Sequence, residues 1–457
     1  MAIQMQYNKV LKYYIEARLS GPLHIGSSFG DKNQILVHPV SGEPFIQASS
    51  LSGVLRSYCD KKYPEQTDCL FGTQEENSGS RIRITDGKIS ADNGTVKLEY
   101  RPRVSISHQT GTVSSDRISG TDHNAGHKFE MLLVGAGAKV DFCCYVFTND
   151  DTDYHDVMKG LLSGFISSDI QIGGQKSNGC GYIYPEKIYF TEYDMTGSDG
   201  RKAWIDEEYD GNKSGKDILP ELSDETKTGR IVFTLSGKTE GEMLVKGIAL
   251  DQFGENNPDS VNIQNANGDY IVPGSSIKGA IRNRMSIIAD KLPGVDKEIV
   301  IVNAFGKKGS GKDDPGKLGN LSFLDMVVGN KKENDMMPVR NRIRLDKFTG
   351  GVQYQGKFTE KNISGEFTLK VSIKKDGKNE DIIAKQSAGL LLLALRDLAV
   401  GVYPLGGGSN IGKGYVDAKE ICISDDGSVA RIVIKNGEIE NDQLIKSYLD
   451  ALRGGAH

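Results

Sequence analysis

Four blocks of sequence occur twice in the same order, and this internal repeat constrains the fold more than any other feature of the chain. The paired blocks are 45–56 with 271–282, 70–72 with 304–306, 103–111 with 342–350, and 172–182 with 405–415. The offset between partners drifts little, from 226 residues (275 − 49) to 239 residues (342 − 103). A duplication with insertions in its loops explains such ordered matches, because each copy of a repeat is one structural module. The chain is therefore predicted to fold as two related modules.

The duplicated blocks divide the 457 residues into two modules, a connecting segment and a tail. The predicted modules are 1–191 and 230–430. Residues 192–229 are polar and rich in glycine, which is typical of a linker. Residues 431–457 form the predicted tail, in which the apolar spacing over 441–453 favours one amphipathic helix.

Each module is predicted to be α+β and ferredoxin-like. In both copies an opening strand, 13–19 or 231–235, precedes a Ser-Ser block that is predicted to start a helix capped by a serine hydroxyl. A second helix, 156–165 or 388–400, leads into a glycine-rich loop, and another strand follows that loop. The order strand, helix, strands, helix, strand is typical of a ferredoxin-like sheet with helices on one face.

Composition argues against several classes of protein. The longest apolar run, 388–395, is far shorter than the ~20 residues that span a membrane, and we expect neither a membrane segment nor a secretory signal. The six cysteines have no paired spacing, which is typical of reduced thiols in the cytoplasm. A net charge of −5 argues against a nonspecific DNA binder, but it allows a basic groove on one face.

Two features that recur in both modules could bind phosphate. The loops 173–181 and 406–414 hold several glycines each, so that backbone N–H groups could approach an anion, with Lys176 and Lys413 adding charge. The structural alternative is a tight helix-to-strand turn. The Ser-Ser helix starts could also bind an anion through N–H and hydroxyl groups, and ordinary capping is the alternative there.

Two other motifs do not support a site. Residues 306–312 fit GxxxxGK, but Asp313 stands where a P-loop needs Ser or Thr for Mg²⁺, so a nucleotide triphosphate site is not expected. His108, His123 and His127 lie in polar sequence without a nearby cysteine, so a zinc site is not expected either.

The ordered motifs resemble the RAMP superfamily of CRISPR effector proteins, and in particular the backbone subunits of type III interference complexes. The motifs that carry the resemblance are GxLHIG at 21–26, GEPFIxxSSLxGxLR at 42–56, the two Phe-Gly pairs, the basic stretches 101–116 and 340–357, and the two glycine loops. The resemblance covers nearly the whole chain as two tandem modules, like the double-backbone subunit of type III-D systems. The first module departs from the usual pattern, because Gln47-Ala48 stands where the second has Pro273-Gly274.

The resemblance implies a modified RRM-like palm in each module, with 101–116 and 340–357 forming thumb hairpins. It also implies binding of guide RNA and target RNA in a complex with other effector subunits. Cleavage of the paired target RNA would use a loop aspartate with a divalent metal ion, Mg²⁺ or Mn²⁺. The matching aspartates are Asp31 in the first module and Asp259 in the second, with Asp251 as the fallback. The implied RNA-binding residues are Ser49, Ser50, Arg56, Arg103, His108, Lys176, Ser275, Ser276, Lys278, Arg282, Arg340, Arg342 and Lys413.

Two other functions stay open. In the first, the chain is an RNA-binding scaffold and the aspartates only form turns. In the second, it is a guide-RNA-processing endoribonuclease of the same superfamily. Such enzymes usually rely on an active-site histidine and one terminal glycine loop, whereas each module here has a loop of its own.

Overall fold

The computed structural model describes most of the chain and divides it into two compact units. The described residues are 7–26, 34–73, 79–104, 128–148, 154–206, 215–222, 229–247, 258–293, 295–309, 314, 316–375 and 380–453. The first unit comprises Met1–Leu98, Leu133–Lys176 and Cys180–Thr228. The second comprises Glu99–Leu132, Ser177–Gly179 and Gly229–His457, so that it includes two segments from the first half of the sequence.

The first half of the chain contains nine strands and five helices in its described part. The strands are β1 (Lys9–Leu19), β2 (Phe45–Ile46), β3 (Ile82–Ile84), β4 (Gly87–Ser90), β5 (Leu98–Val104), β6 (Lys128–Val134), β7 (Lys139–Thr148), β8 (Ile183–Asp194) and β9 (Lys216–Asp217). The helices are α1 (Ala48–Lys62), α2 (Pro64–Phe71), α3 (Tyr154–Ile166), α4 (Ser198–Asp206) and α5 (Leu219–Leu222).

A seven-stranded sheet forms the frame of the first unit. Its order is β2-β4-β7-β1-β8-β9, with β3 also paired to β7. Helix α1 buries Leu51, Leu55 and Cys59, whose spacing of four residues puts them on one helix face. On α4, the ring of Trp204 lies edge-on to Tyr145 of β7 at a centroid distance of 5.4 Å. The segment predicted as a linker thus contains α4, β9 and α5, which pack within the first unit because Trp204 and Leu222 contribute apolar contacts.

The second half of the chain contains twelve strands and five helices in its described part. The strands are β10 (Arg230–Glu240), β11 (Ile271–Val272), β12 (Gly306–Lys308), β13 (Gly316–Leu318), β14 (Leu321–Phe323), β15 (Met326–Val327), β16 (Val339–Leu345), β17 (Val352–Lys361), β18 (Glu366–Lys374), β19 (Tyr415–Asp425), β20 (Ser428–Val433) and β21 (Ile439–Glu440). The helices are α6 (Gly274–Ala289), α7 (Lys297–Phe305), α8 (Lys331–Asp335), α9 (Glu380–Ala399) and α10 (Asp442–Arg453).

A six-stranded sheet, β14-β18-β10-β19-β20-β21, forms the frame of the second unit. Helices α6, α7, α9 and α10 bury apolar side chains in the same core as this sheet. Helix α10 is the amphipathic helix that the spacing of 441–453 predicts, and it buries Ile445, Tyr448 and Leu452. In the described part of the chain, no helix combines the length and apolar character needed to cross a membrane.

The three central strands of the two sheets share topology and a matching register shift, which confirms the α+β class and the duplicated ferredoxin-like fold. The central antiparallel strands are β7-β1-β8 in one unit and β18-β10-β19 in the other. Both β1–β8 and β10–β19 carry a register shift typical of a β-bulge, at Glu16/Ala17 and at Ser236/Gly237. The same irregularity at the same strand pair is expected from one ancestral module copied twice.

Candidate nucleic-acid interface

The Ser-Ser blocks start helices as predicted, but the serines do not cap them. The N-cap positions are Gln47 for α1 and Pro273 for α6, neither with a side-chain cap bond. Two aspartates that the sequence analysis missed bind the first N–H groups instead. The Ala48 N–H donates to Asp86 Oδ1 at 2.7 Å, and the Gly274 N–H donates to Asp325 Oδ1 at 2.8 Å.

The prediction of serine capping is wrong because each serine pair lies inside the first helical turn, beyond the capping position. Ser49 and Ser276 are exposed, and Ser50 and Ser275 are half-buried. The sequence carried one signal for the role of these aspartates, because each stands just before a short strand, β4 or β15. Pairing of that strand with β2 or β11 brings the aspartate to the helix start.

Three predicted RNA-binding cations come together in the second unit. Lys278, on α6, donates a hydrogen bond from Nζ to Ser177 Oγ at 2.9 Å. Burial lowers the pKa of Lys278, and the nearby positive charges of Arg282 and Arg103 lower it further. In the described part of the chain, neither Lys278 nor Arg282 has a carboxylate within ion-pair distance. The cluster of Lys278, Arg282 and Arg103 is called the basic patch below.

The matching residues of the first unit are arranged differently. Arg56, on α1, forms an exposed ion pair with Asp68 of α2, with Nη2 and Oδ1 3.2 Å apart. Its second-unit counterpart Arg282 instead lies 5.7 Å from the ring centroid of Phe305. Burial lowers the pKa of Lys176, which lies within the first glycine loop. The first unit thus pairs Arg56 with a carboxylate, whereas Arg282 in the second unit has no described carboxylate within ion-pair distance.

The glycine loops use their N–H groups to hold the fold. Gly174 donates to the His24 carbonyl, and its counterpart Gly407 donates to the Leu244 carbonyl, both at 2.8 Å. Positive φ values of 75° at Gly173 and 85° at Gly406 explain why the residue before each donor is glycine. These N–H groups are already bonded to backbone carbonyls of the chain, as expected when each loop is a tight helix-to-strand turn.

Lys413, in the second glycine loop, is a buried residue whose partners are protein side chains. Its ammonium group binds the Glu360 carboxylate and lies 3.0 Å from Asn362 Oδ1. Burial alone would raise the pKa of Glu360, but the hydrogen bond and charge of Lys413, with Arg342 at 3.3 Å, keep that pKa below its ordinary value. The assignment of Lys413 to RNA binding stays a prediction.

The thumb stretch of the second module is a hairpin, as predicted. Strands β16 and β17 pair antiparallel, with Arg342 opposite Phe358. Arg340, at the base of the hairpin, donates to Glu242 Oε1 from Nη2 at 2.8 Å and from Nε at 3.0 Å. Arg340, which was predicted to bind RNA, therefore also ties the base of the hairpin to Glu242.

The tip of this hairpin is an ordered turn with an exposed aromatic ring. Asp346 Oδ1 accepts hydrogen bonds from the N–H groups of Phe348 and Thr349 and from Thr349 Oγ1. These bonds lower the pKa of Asp346. Phe348 is 96% exposed, so its ring faces solvent rather than the interior of the fold. A flat apolar ring on an ordered turn suits stacking on a base.

Asp259 lies beside the hairpin base and is exposed. Its Oδ2 accepts hydrogen bonds from the Thr359 N–H at 2.6 Å and from Thr359 Oγ1 at 2.9 Å. These two bonds lower the pKa of Asp259, so the carboxylate is ionised at neutral pH. Ser260 pairs with Glu360, the residue next to Thr359 in β17. Of the predicted catalytic residues, Asp31 and Asp251 lie outside the described residues, as does His108.

The described residues around Asp259 do not by themselves complete a metal site. A divalent cation such as Mg²⁺ takes about six oxygen ligands. Within the described ranges, no group of three or more His, Cys, Asp or Glu side chains is placed to hold an ion. Among the described residues, Asp259 offers one carboxylate there, which is fewer ligands than a divalent cation takes.

Comparison with known proteins yields one family. The model of the RAMP superfamily matches residues 16–184 and 197–417, which covers both modules. One similar chain belongs to the cryo-EM structure of the type III-B Cmr-beta bound to cognate target RNA. It has 20% sequence identity and a TM-score of 0.31, and the match covers 40% of this chain and 61% of that chain. No curated protein matches the sequence.

Proposed function

We propose that this chain, which belongs to the RAMP superfamily, is a guide-RNA-binding backbone subunit of a type III CRISPR effector complex. The observation that carries this proposal is the basic patch. Lys278 is partly buried beside two arginines, an arrangement that is costly without an anion. A phosphate group would relieve both the repulsion and the lost hydration, as RNA backbones do at cationic surfaces.

Removing one cation from the patch tests this proposal. Lys278→Met and Arg282→Met should each weaken binding of a single-stranded guide RNA and reduce the slope of log K against log salt by about 0.7 per lost phosphate contact. Fluorescence anisotropy at several salt concentrations measures both quantities. Lys435→Met is the matched control, because Lys435 is exposed and lies outside the patch. Equal affinity and slope in all three variants would refute RNA binding at this patch.

Cleavage of a paired target RNA is the second part of the proposal, and the placement of Asp259 supports it. The carboxylate is exposed, ionised and held beside the base of the thumb hairpin. In the proposed reaction, the 2′-hydroxyl loses its proton and its oxygen attacks the adjacent phosphorus. The bond from phosphorus to the 5′ oxygen breaks, and that oxygen takes up a proton. The products are a 2′,3′-cyclic phosphate and a 5′-hydroxyl end.

The low pKa of Asp259 makes it a weak base, so its proposed role is to orient the reacting groups or bind a cation brought by the RNA. Asp259→Ala should abolish one cut in the assembled complex and leave target binding intact. Asp206→Ala, an exposed carboxylate on α4, is the control. Addition of EDTA tests the proposed need for Mg²⁺ or Mn²⁺. If all cuts persist in Asp259→Ala, the chain acts at this position as the non-catalytic scaffold.

A further inference from the structure

Four tyrosines gather on the face of the first sheet that points away from α3. Tyr13 marks the other face, because its hydroxyl oxygen lies 2.8 Å from Nδ1 of His155 on α3. Side chains alternate along a strand, so Tyr14 points to the opposite face. Residues directly opposite each other in antiparallel strands share a face, which adds one tyrosine from β7 and two from β8. The set, called the aromatic platform below, is Tyr14, Tyr145, Tyr189 and Tyr193.

Helix α4 covers the aromatic platform through one aromatic anchor. The ring centroid of Trp204 lies 5.4 Å from that of Tyr145 and 5.4 Å from that of Tyr193. Of the residues of α4, only Gly200 and Trp204 are half-buried, and the others are exposed. Ile205, next to the anchor, is 77% exposed. A helix shorter than about 12 residues is marginal on its own, so α4 depends on the Trp204 contacts.

The second unit has no aromatic side chains at three of the equivalent positions. The matching register shifts of β1–β8 and β10–β19 align the two sheets. In this alignment, Thr234, Ser372 and Cys422 stand where the first unit has tyrosines. All three are half-buried, so this sheet face of the second unit folds without aromatic packing. The aromatic platform is therefore a property of the first unit and not a requirement of the duplicated fold.

The charges beside the platform balance, which favours bases rather than phosphates as its ligand. By strand alternation, Lys12 and Lys187 share this face with Glu16 and Asp141. Burial raises the pKa of Tyr14, and the Asp141 and Glu16 carboxylates raise it further, so its hydroxyl group stays neutral. A face of this kind offers stacking in place of net charge. Every base has a π-face, so such stacking tolerates any sequence.

We propose that the aromatic platform binds unpaired RNA bases when α4 moves away, and that Trp204 occupies the platform in the absence of RNA. The tyrosine rings would stack on two or three bases, as the aromatic side chains of RRM sheets do. Helix α4 is then a removable cover, which weakens the apparent affinity of the platform according to the fraction of open molecules. The inference rests on the proposed RNA binding, and it adds a base-binding site to the basic patch.

Fluorescence of Trp204 tests the displacement of α4, because this residue is the only tryptophan of the sequence. The probes are oligouridylate and an abasic ribose-phosphate oligomer of equal length, each titrated into the full chain. Oligouridylate should shift the emission to the red and increase quenching by acrylamide, since the ring moves into water. The abasic oligomer should change neither. Unchanged emission at saturating oligouridylate would overturn the proposal, and so would an equal response to both probes.

Removal of the anchor tests the cover in a second way. Trp204→Ala should bind oligouridylate about tenfold more tightly than the native chain, because the closed state that competes with RNA is weakened. Ile205→Ala is the matched control on the same helix and should bind like the native chain. Tyr145→Leu added to Trp204→Ala should cancel the gain, because one stacking ring is lost. Equal affinities of Trp204→Ala and Ile205→Ala would refute the role of α4 as a cover.

Salt dependence separates this site from the basic patch. The gain in Trp204→Ala should be equal at low and high salt, because the platform carries no net charge, whereas phosphate contacts weaken with salt. A gain that vanishes at high salt would refute the assignment to bases. If Lys278→Met binds RNA like the native chain but keeps the Trp204 response, the basic patch fails and the platform stands. If Lys278→Met weakens binding and Trp204 never responds, the platform alone fails.

Discussion

At the scale of single residues, hydrogen bonds rather than sequence context set the chemistry of the candidate carboxylates. Asp259 and Asp346 are both exposed, and both have a pKa below the ordinary value of 3.8 because N–H and hydroxyl groups donate to them. For Asp259 both donors belong to Thr359. One residue of the hairpin therefore supplies the main hydrogen bonds that lower the pKa of Asp259.

Thr359→Val should raise the pKa of Asp259 toward 3.8, because the hydroxyl donor is lost while the N–H remains. A lowered native pKa contributes stability above the unfolded value, and this contribution disappears as the pH falls through the native pKa. The pKa of Asp259 in the variant is closer to 3.8, so the variant should lose less stability than the native chain as the pH falls from 3.8 to the lowered native pKa. A carbon-detected NMR titration of the Asp259 carboxyl measures the shift. Asp346, with its own donors Phe348 and Thr349, is the internal control, and an unchanged Asp259 would contradict the account.

At the scale of elements, the β16–β17 hairpin is ordered without a core of its own. The Asp346 hydrogen bonds and the positive φ of 66° at Gly350 define the turn. The exposed ring of Phe348 adds almost no buried apolar surface to it. A two-stranded hairpin is marginal by itself, so its attachment at the base matters. Arg340 to Glu242 and Lys413 to Glu360 supply that attachment.

Phe348→Ala should leave the free energy of unfolding within about 0.5 kcal/mol of the native value, because the ring is exposed. It should weaken single-stranded RNA binding by ~1–3 kcal/mol if the ring stacks on a base. Leu318→Ala is the matched control, since Leu318 is 91% exposed on another short hairpin. Urea unfolding and RNA anisotropy give the two values, and equal RNA affinity in both variants would exclude stacking by Phe348.

At the scale of the whole molecule, the structural units do not follow the order of the sequence. Residues 99–132 precede half of the first unit along the chain, yet they belong to the second. The buried ion pairs of Arg101 with Glu99 and Asp325, called the Arg101 clamp, contribute to this organisation, because they tie β5 to Asp325 through two hydrogen bonds. Such a pair is costly to break when the carboxylates stay buried.

Arg101→Met should destabilise the second unit by about 3–5 kcal/mol, because Glu99 and Asp325 would lose their shared counter-charge. Urea unfolding followed by circular dichroism measures the change. Arg431→Met is the control, since its ion pairs with Glu420 and Glu440 are exposed and should contribute at most about 1 kcal/mol. A further Asp325→Asn change should recover part of the loss. Equal stability of the two arginine variants would show that the clamp does not hold the unit.

The sequence by itself determined the duplication, the α+β class and the helices at the Ser-Ser blocks, because repeated motifs and apolar periodicity can be read directly along a chain. The second hairpin was predicted from the family resemblance. The sequence did not reveal Asp86 and Asp325, which reach their helices through pairing of distant short strands. It also left open whether the glycine loops and Lys413 serve RNA or the fold. Only the tertiary structure pairs Lys413 with Glu360 and groups Lys278 with Arg103, because charges far apart in sequence acquire partners only when the chain packs.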